Sequence, residues 1–584
     1  MEKVNITIDG IKLSVPASYT ILEAAAKNNI YIPRLCFLEK IHEESSCRVC
    51  VVEVEGSRNL KNACTIQVWD GMVVKTNTDR VINSVTENLK LTASSHNFEC
   101  WKCAREDNCE FLGLLKKFDV ENTYGEDRRY EPKDRIFNAS SSIVIDSSKC
   151  VLCGRCVSGC EKLSGTSVLG FNQRGSKTYV GPALNHDIED SGCIYCGKCI
   201  QSCPVAALTD KADFPQVEKI LKSKEKFVVV QPAPAVRAAL GEEFGLPIGT
   251  NVEGKMFAAF KELGFSEIAD VNWAADLTIM EEGTEFIHRL NGDGPFPMFT
   301  SCSPGWIRYI EQYESDYIPN LSSAKSPHQM GGAMIKHYWS KKLGVEPKNI
   351  VVVSIMPCIA KKWEAARPEL EYAGLRDVDY VLTTRELARM IKRANIDFVN
   401  LKDFKPQGEL AVYTGAGNIF GATGGVMEAA VRTVVDVLED KDMPQIDYKE
   451  LRGVLNIKEA TLKIKGKEIN VAVVHGGHAI KEFFEILKKG KKKFHFVELM
   501  GCTGGCVNGG GQPVVTAEEY SKFDVRALRA KALYDNDMSL KIRKSHLNPS
   551  IQKAYKEFLG EPCGKKSHEL LHTKFAKQDF YHTK

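Results

Sequence analysis

The sequence lacks two features that would place it in or across a membrane. No apolar run reaches the ~18 residues that a membrane-spanning helix needs. The opening MEKVNITIDGIKLSV has neither the apolar core nor the small-residue cleavage site of a secretory signal. We therefore expect a cytoplasmic protein without a membrane partner.

The chain also has little net charge and no evident nucleotide-binding motif. Its formal net charge is +3 over 584 residues and there is no long basic arm, so we expect no nucleic-acid partner. No GxGxxG motif lies between a strand-like and a helix-like segment, and no flavin site is evident, which argues against direct use of NADH. A chain of this length exceeds what one hydrophobic core organises, so several domains are expected.

Cysteine, by contrast, is abundant, with 20 residues in the chain. Most of them lie two residues apart in CxxC clusters. In a secreted protein such a number would indicate disulfides, whereas in a reducing cytosol it indicates metal.

Residues 140–213 contain eight cysteines in two similar halves. Each half reads CxxCxxC followed by a further cysteine, the pattern of bacterial ferredoxins with two [4Fe–4S] clusters, in which the fourth cysteine serves the other cluster. One predicted site is therefore Cys150, Cys153, Cys156 and Cys203, and the other is Cys193, Cys196, Cys199 and Cys160. A pair of zinc sites is the alternative, although zinc motifs rarely share a ligand across a repeat.

Two further sets precede this repeat. In residues 1–80, where strand-like alternation suggests a β-grasp fold, a CxxC pair between two distant cysteines suits [2Fe–2S]: Cys36, Cys47, Cys50 and Cys64. In residues 81–125 a mixed set suits [4Fe–4S] with one imidazole ligand: His96, Cys100, Cys103 and Cys109. Zinc is an alternative for both, and for the second set spacing alone makes it nearly as good. The neighbouring cluster motifs favour iron, because a zinc ion would interrupt an electron-transfer chain.

From residue 226 to residue 584, apolar β-rich runs alternate with amphipathic helical stretches. This alternation predicts a large α/β domain with a mostly parallel sheet, so that the fold class is multidomain α/β. Four cysteines are dispersed in three short segments, FTSCSPGW, MPCIAKKWE and ELMGCTGGCVNGGG: Cys302, Cys358, Cys502 and Cys506. Two of them follow strand-like runs directly, where open α/β sheets bind ligands. The residues alone suggest another four-iron site, with simple burial of cysteine as the alternative.

These three segments, together with the accessory spacings, resemble the [FeFe]-hydrogenases of the long clostridial type, and the resemblance covers essentially the whole chain. A stretch near residues 535–575 resembles the family's small subunit. The resemblance implies an H-cluster, in which a [4Fe–4S] cubane is joined through a thiolate to a two-iron unit with CO, cyanide and azadithiolate. It makes Cys506 the bridging thiolate and Cys358 and Cys502 cubane ligands. It also places four residues around the two-iron unit: Pro234, Met356, Lys361 and Met500.

One departure from the family concerns Cys302 and Ser303. The family reads Thr-Ser-Cys-Cys-Pro, with the first cysteine relaying protons and the second ligating the cubane, whereas here the second position is serine. Either Cys302 ligates and Ser303 is the relay, or Ser303 ligates through its oxygen and Cys302 is the relay. Because thiolate is the softer ligand, the sequence favours Cys302 as the ligand.

The resemblance also implies a proton route through Glu282, Glu285, Arg289 and Ser322. The first three have a spacing that puts them on one face of a helix, as a relay needs. From spacing alone, an ordinary solvated helix face explains them equally well.

The implied reaction is 2H⁺ + 2e⁻ ⇌ H₂. The implied partners are ferredoxin or a similar small electron carrier and the enzymes that mature the H-cluster, with the chain itself a monomer. Two other functions stay open: a non-catalytic iron–sulfur assembly factor, although such proteins lack the accessory clusters and would not need Glu282 and Glu285, and a hydrogen sensor, for which no signalling domain is visible. The amino-terminal arm alone would also fit a respiratory NADH-dehydrogenase subunit.

Overall fold

The amino-terminal sheet begins with a hairpin that its turn residues dictate. In this computed structural model, which describes residues 2–121, 136–292, 294–444, 447–453, 455–490 and 492–581, Asp9 and Gly10 have φ of 49° and 82°. Positive φ at both positions is what a tight two-residue hairpin turn requires. The sheet has the order β2-β1-β5-β3-β4, with these bounds: β1 (Lys3–Ile8), β2 (Ile11–Pro16), β3 (Val51–Val54), β4 (Lys61–Asn62) and β5 (Val73–Lys75).

Three helices accompany this sheet: α1 (Ile21–Lys27), α2 (Asp79–Ala93) and α3 (Glu110–Lys117). Helix α1 begins at a capping box, in which Thr20 and Glu23 each bond the other's backbone N–H. The predicted segment 81–125 thus contains most of α2 and all of α3, and its end from residue 122 lies outside the described residues.

The cysteine repeat forms a small module around two short helices, α4 (Arg155–Gly159) and α5 (Lys198–Ser202). Its strands are β6 (Ile136–Phe137), β7 (Ile143–Asp146), β8 (Gly170–Asn172), β9 (Tyr179–Gly181) and β10 (Leu208–Asp210). The strands pair antiparallel in the order β10-β7-β6, with β8 and β9 as a separate ribbon. Helix α6 (Phe214–Ser223) connects the module to the remainder.

Two four-stranded sheets form the centre of the large domain. The first is wholly parallel, in the order β12-β11-β14-β17: β11 (Phe227–Pro232), β12 (Glu267–Ile268), β14 (Ile350–Met356) and β17 (Tyr380–Thr383). The second has the order β13-β20-β19-β18 with only β18 antiparallel: β13 (Met298–Phe299), β18 (Ile457–Ile464), β19 (Lys467–His475) and β20 (Phe496–Met500). The expectation of an α/β domain with mostly parallel strands is confirmed.

Helices cover both sheets, and the apolar strands lie in the core, as expected for parallel strands. Strand β14, for example, is buried almost throughout. The helices are α7 (Glu253–Glu262), α8 (Val271–Leu290), α9 (Pro304–Tyr313), α10 (Pro327–Met334), α11 (Ser340–Leu343), α12 (Ala360–Ala365), α13 (Thr384–Arg393), α14 (Gly415–Ile419), α15 (Gly425–Glu439), α16 (Gly477–Lys488), α17 (Ala517–Lys522), α18 (Val525–Ser539), α19 (Pro549–Ala554) and α20 (Lys565–Leu571). A small ribbon, β15 (Glu371–Tyr372) and β16 (Leu375–Arg376), lies outside the sheets.

The topology brings three strand ends to one place. Strands β13, β14 and β20 end shortly before Cys302, Cys358 and Cys502, respectively. Carboxyl ends of parallel strands are where such sheets bind ligands. Within the described part of the chain, no helix combines the length and apolarity needed to cross a bilayer.

Candidate active site

The eight cysteines of the repeat lie in two groups. Burial raises the pKa of Cys156, and the neighbouring thiols that raise it further are led by Cys153, Cys203 and Cys150. Burial likewise raises the pKa of Cys199, and its leading neighbours are Cys196, Cys193 and Cys160. Each group of four therefore surrounds one site, with the fourth cysteine supplied by the other half.

The amino-terminal sets also gather. Cys36 donates its backbone N–H to Sγ of Cys47 at 3.4 Å, and hydrogen bonding from Cys47 lowers the pKa of Cys36 to about 5. Cys50 and Cys64 form the other pair, in which hydrogen bonding to Cys64 lowers the pKa of the Cys50 thiol. One small cavity is lined by all members of the mixed set: His96, Cys100, Cys103 and Cys109.

Both amino-terminal sites contact the same site of the repeat. Ser46, beside Cys47, donates to the carbonyl of Cys153 at 3.2 Å, and Arg105 donates to the carbonyl of Cys203 at 2.9 Å. These two cysteines belong to the same predicted [4Fe–4S] site. The other site of the repeat lies against the large domain, where Sγ of Cys502 is 3.7 Å from the carbonyl oxygen of Cys196.

The ends of the central strands surround a cavity. Its walls carry every residue of the large domain that the sequence associates with the H-cluster: Pro234, Cys302, Ser303, Met356, Cys358, Lys361, Met500, Cys502 and Cys506. Burial and the neighbouring Cys502 raise the pKa of Cys506 to about 12, so these thiols lie close together.

The walls fit a bulky inorganic group. Gly505 has φ of 82°, and a Cβ there would lie 2.7 Å from the backbone nitrogen of Thr423 and 3.2 Å from Sδ of Met500. A Cβ on Gly509 would lie 2.2 Å from the carbonyl oxygen of Pro357. Side chains at these positions would collide with the cavity wall, so glycine keeps the loop of Cys502 and Cys506 close to it. Clustered thiols are the soft donors that iron–sulfur groups need.

The side chains of Cys302 and Ser303 face different neighbours. Burial raises the pKa of the Cys302 thiol, and the charged neighbours that act on it are led by Glu282, Lys361 and Cys506. Oγ of Ser303 instead accepts the backbone N–H of Gly501 at 3.1 Å, directly before Cys502. This placement favours Cys302 as the relay and Ser303 on the cubane side, which is the reverse of the reading that the sequence favours.

Three of the proton-route residues lie on helix α8, and Ser322 joins them from the segment before α10. Ser322 donates to Glu285 Oε2 at 2.9 Å, and Arg289 donates to Glu285 Oε1 at 2.7 Å. Burial, followed by the charge of Glu285, raises the pKa of Glu282 to about 8, against the backbone N–H of Ser301, which donates at 3.3 Å, and the neighbouring hydroxyl of Ser322. Oε2 of Glu282 is fully buried and has no hydrogen-bond partner among the described residues.

Comparison with known proteins decides the family. The profile described as "Iron only hydrogenase large subunit, C-terminal domain" matches residues 226–510, and "Iron hydrogenase small subunit" matches 523–578. A 2Fe-2S iron-sulfur cluster binding domain matches 1–79, and the ferredoxin-like domain of NADH-quinone oxidoreductase subunit 3 matches 140–209. Iron hydrogenase 1 of Clostridium pasteurianum is 45% identical over 98% of this chain and 100% of its own length.

The chain belongs to the [FeFe]-hydrogenases.

Solved structures of this family agree. One, titled as revealing stepwise assembly of the H-cluster in an [FeFe]-hydrogenase, has a TM-score of 0.57 and 37% identity and covers 63% of this chain and 99% of its own. The NADP-reducing hydrogenase subunit HndD of Solidesulfovibrio fructosivorans is 44% identical over 99% of this chain and 100% of its own. The protein NAR1 of Arabidopsis thaliana is 32% identical, over 60% of this chain and 78% of its own. The two hydrogenase sequences thus match nearly the whole chain, whereas NAR1 matches 60% of it. The assembly-factor alternative is therefore not favoured.

Sequence reasoning missed two residues of this hydrogenase site, Glu364 and His328. Lys361 donates to Glu364 Oε2 at 2.8 Å and to the carbonyl of Cys302 at 3.0 Å, and His328 also bonds Glu364. Burial alone would raise the pKa of Glu364, but Lys361 and His328 hold it well below its usual value. The carboxylate therefore fixes the Lys361 ammonium at the cavity wall. Glu364 stands three residues after Lys361, a helical i, i+3 spacing that was the available signal.

Proposed function

We propose that this hydrogenase catalyses 2H⁺ + 2e⁻ ⇌ H₂ in the cavity between the strand ends. The observation that carries the proposal is the meeting of four features there: clustered thiols, a buried Lys361, the glycine-lined loop and a buried Glu282 beside Cys302. When bound, the H-cluster supplies the redox chemistry, and the protein supplies orientation, electrostatics and exclusion of water.

The residues that would hold the H-cluster are Cys358, Cys502 and Cys506, with Ser303 on the side of the cubane. By the family resemblance, Cys506 would supply the thiolate shared by the two parts of the cluster. Met356, Met500 and Pro234 would line the space of the two-iron unit, and the ammonium of Lys361, held by Glu364, would supply a positive charge there.

Protons move through Glu282, because its raised pKa lets the buried carboxyl hold and release a proton near neutral pH. Ser322 links Glu285 to Glu282 on one side, and the thiol of Cys302 follows on the other. Arg289 holds the outer carboxylate, Glu285, at the entrance.

The four amino-terminal cysteine sets would hold one [2Fe–2S] and three [4Fe–4S] clusters, which would supply electron transfer to the cavity. The contacts of Ser46 with Cys153 and of Arg105 with Cys203 support a position of both amino-terminal clusters next to the same [4Fe–4S] site. The Cys196–Cys502 contact supports transfer from the second site of the repeat to the cubane. We infer that the segments 1–80, 81–125, 140–213 and 226–584 are the corresponding domains.

We infer that the partners are ferredoxin or a similar small electron carrier and the H-cluster maturation enzymes, and that the chain works as a monomer in the cytoplasm. The test is hydrogen evolution by matured protein, measured by gas chromatography with reduced ferredoxin and, separately, with a reduced viologen dye. Activity with both donors is expected. No hydrogen with either donor from protein that contains its full iron would contradict the proposal.

A further inference from the structure

A second group of titratable residues adjoins the outer end of the proton route. It lies where the carboxyl-terminal segment packs on helix α8, and it consists of Glu281, Cys563 and His572. Polar atoms of these three residues lie within 4.8 Å of one another. Glu281 is fully buried and His572 nearly so.

His572 is held between two partners. Its Nε2 lies 3.0 Å from Glu281 Oε2, and its Nδ1 lies 2.8 Å from Oγ of Ser323. Ser323 in turn donates its backbone N–H to Glu285 Oε2 at 3.1 Å, with its Oγ at 3.4 Å from the same oxygen. A continuous polar series therefore runs from His572 through Ser323 to Glu285, the carboxylate that Ser322 links to Glu282.

The surroundings of Glu281 favour its ionised form. Burial alone would raise its pKa, but hydrogen bonds from His572 and Tyr555 and the charge of His572 hold it below its usual value. The backbone N–H of Cys563 donates to it at 2.7 Å as well. Because Nε2 is held by this carboxylate, Nδ1 is the nitrogen of His572 that contacts Ser323.

The group also reaches the surface. The ring of His568, which is exposed, lies over the ring of His572 with centroids 4.2 Å apart. The titratable groups that face His572 are therefore Glu281 and Glu285 from α8, His568 from α20, and Cys563 from the loop before α20.

We propose that Glu281, His572 and Ser323 form a second proton branch that enters the route at Glu285, independently of Arg289. The proposal rests on the proposed function. In each transfer His572 gives its Nδ1 proton to Oγ of Ser323, and the Ser323 hydroxyl gives its own proton to Glu285 Oε2. One proton moves and no electron does. His572 is reloaded at Nδ1 when its ring turns from Ser323 towards the exposed imidazole of His568, which gives a proton and takes one from the solvent.

The experiment compares full-length, matured variants: His572→Gln, Arg289→Gln and the two combined. The exposed His478→Gln on α16 is the matched control. Because parallel branches substitute for each other, each single change should lower hydrogen evolution only several-fold. The combined change should lower it far beyond the product of the two single effects, with an increased solvent deuterium isotope effect.

If His572 has only a structural role, the loss of hydrogen evolution in the combined variant should equal the product of the two single losses. The solvent isotope effect should then stay that of the parent protein. That result would overturn the branch. Ser323→Ala in the Arg289→Gln background gives a second test if His572→Gln folds poorly, because it removes the hydroxyl link and keeps the Glu281–His572 pair. Ser323→Thr should restore the rate, and equal rates for the two Ser323 variants would also overturn the proposal.

Infrared spectra separate this proposal from the proposed function. Unchanged CO and cyanide bands in every variant show that the cavity residues still hold the H-cluster, so that a rate effect belongs to proton delivery. Parent protein without such bands would contradict the proposed function instead.

Discussion

Cys302 and Ser303 are neighbours in the chain but differ in their surroundings. Cys302 lies among Glu282, Lys361 and Cys506, whereas Ser303 binds the backbone before Cys502. We expect Cys302→Ala to keep the iron content and the electron paramagnetic resonance signal of the cubane. Hydrogen evolution should fall by at least ~10²-fold, as for loss of a positioned proton donor. Ser303→Cys should shift the cubane signal instead, because a thiolate would replace an oxygen. Loss of the cubane signal in Cys302→Ala would show that Cys302 is the ligand after all.

Glu282 is the residue whose protonation should set the pH dependence. Its raised pKa of about 8 means that the carboxyl is protonated below that pH and ionised above it. Hydrogen evolution consumes protons, so its rate should fall as the pH rises through about 8. Glu282→Gln should remove this dependence and lower the rate by ~10²–10⁴-fold, since an amide does not relay protons. The control is the exposed Glu262→Gln, and an unchanged pH–rate profile in Glu282→Gln would contradict the assignment.

At the residue scale, the sequence predicts which residues belong to the cavity better than it predicts where their side chains point. The motif segments identify Cys358, Cys502 and Cys506, because glycine and strand ends flank them. Nothing in the sequence tells which way the side chains of Cys302 and Ser303 point, since that depends on the crossing of β13 against α8 and β20. Glu364 was missed although it stands three residues after Lys361, because that spacing does not show that the pair is buried at the cavity and joined by His328.

Among the elements, the loop after β20 packs directly against the accessory module. A Cβ on Gly510 would lie 2.5 Å from the carbonyl oxygen of Cys196 and 2.7 Å from Cα of Gly197. Gly510→Ala should therefore push this loop away from the repeat and slow ferredoxin-driven turnover, because electron transfer depends on close approach. Gly408→Ala, where the new Cβ would meet nothing closer than 3.9 Å, is the control. Equal ferredoxin-driven rates in the two variants would exclude a role for this contact in electron transfer.

The elements themselves were largely predictable. The Asp9–Gly10 turn, the capped helix α1 and the alternation of strands and helices after residue 226 all follow local rules. The division of the central strands into two sheets could not be predicted from the sequence, because strand order depends on long-range pairing that periodicity does not encode. The convergence of both amino-terminal sites on one [4Fe–4S] site likewise comes from packing between modules.

The whole molecule should contain five metal sites of four ligands each. With one [2Fe–2S] cluster, three accessory [4Fe–4S] clusters and a six-iron H-cluster, matured protein should bind ~20 iron atoms per chain. Elemental analysis should find no stoichiometric zinc. Zinc at one equivalent, with iron lower by about four atoms, would assign the site of His96, Cys100, Cys103 and Cys109 to zinc.

Infrared spectroscopy of the matured protein tests the central claim most directly, because CO and cyanide ligands absorb where proteins have no bands. A protein that holds an H-cluster between Cys506, Lys361 and the two cavity methionines should show sharp CO and cyanide stretches that respond to hydrogen. Protein with its full accessory iron, produced together with active maturation enzymes and still without these bands, would contradict the account.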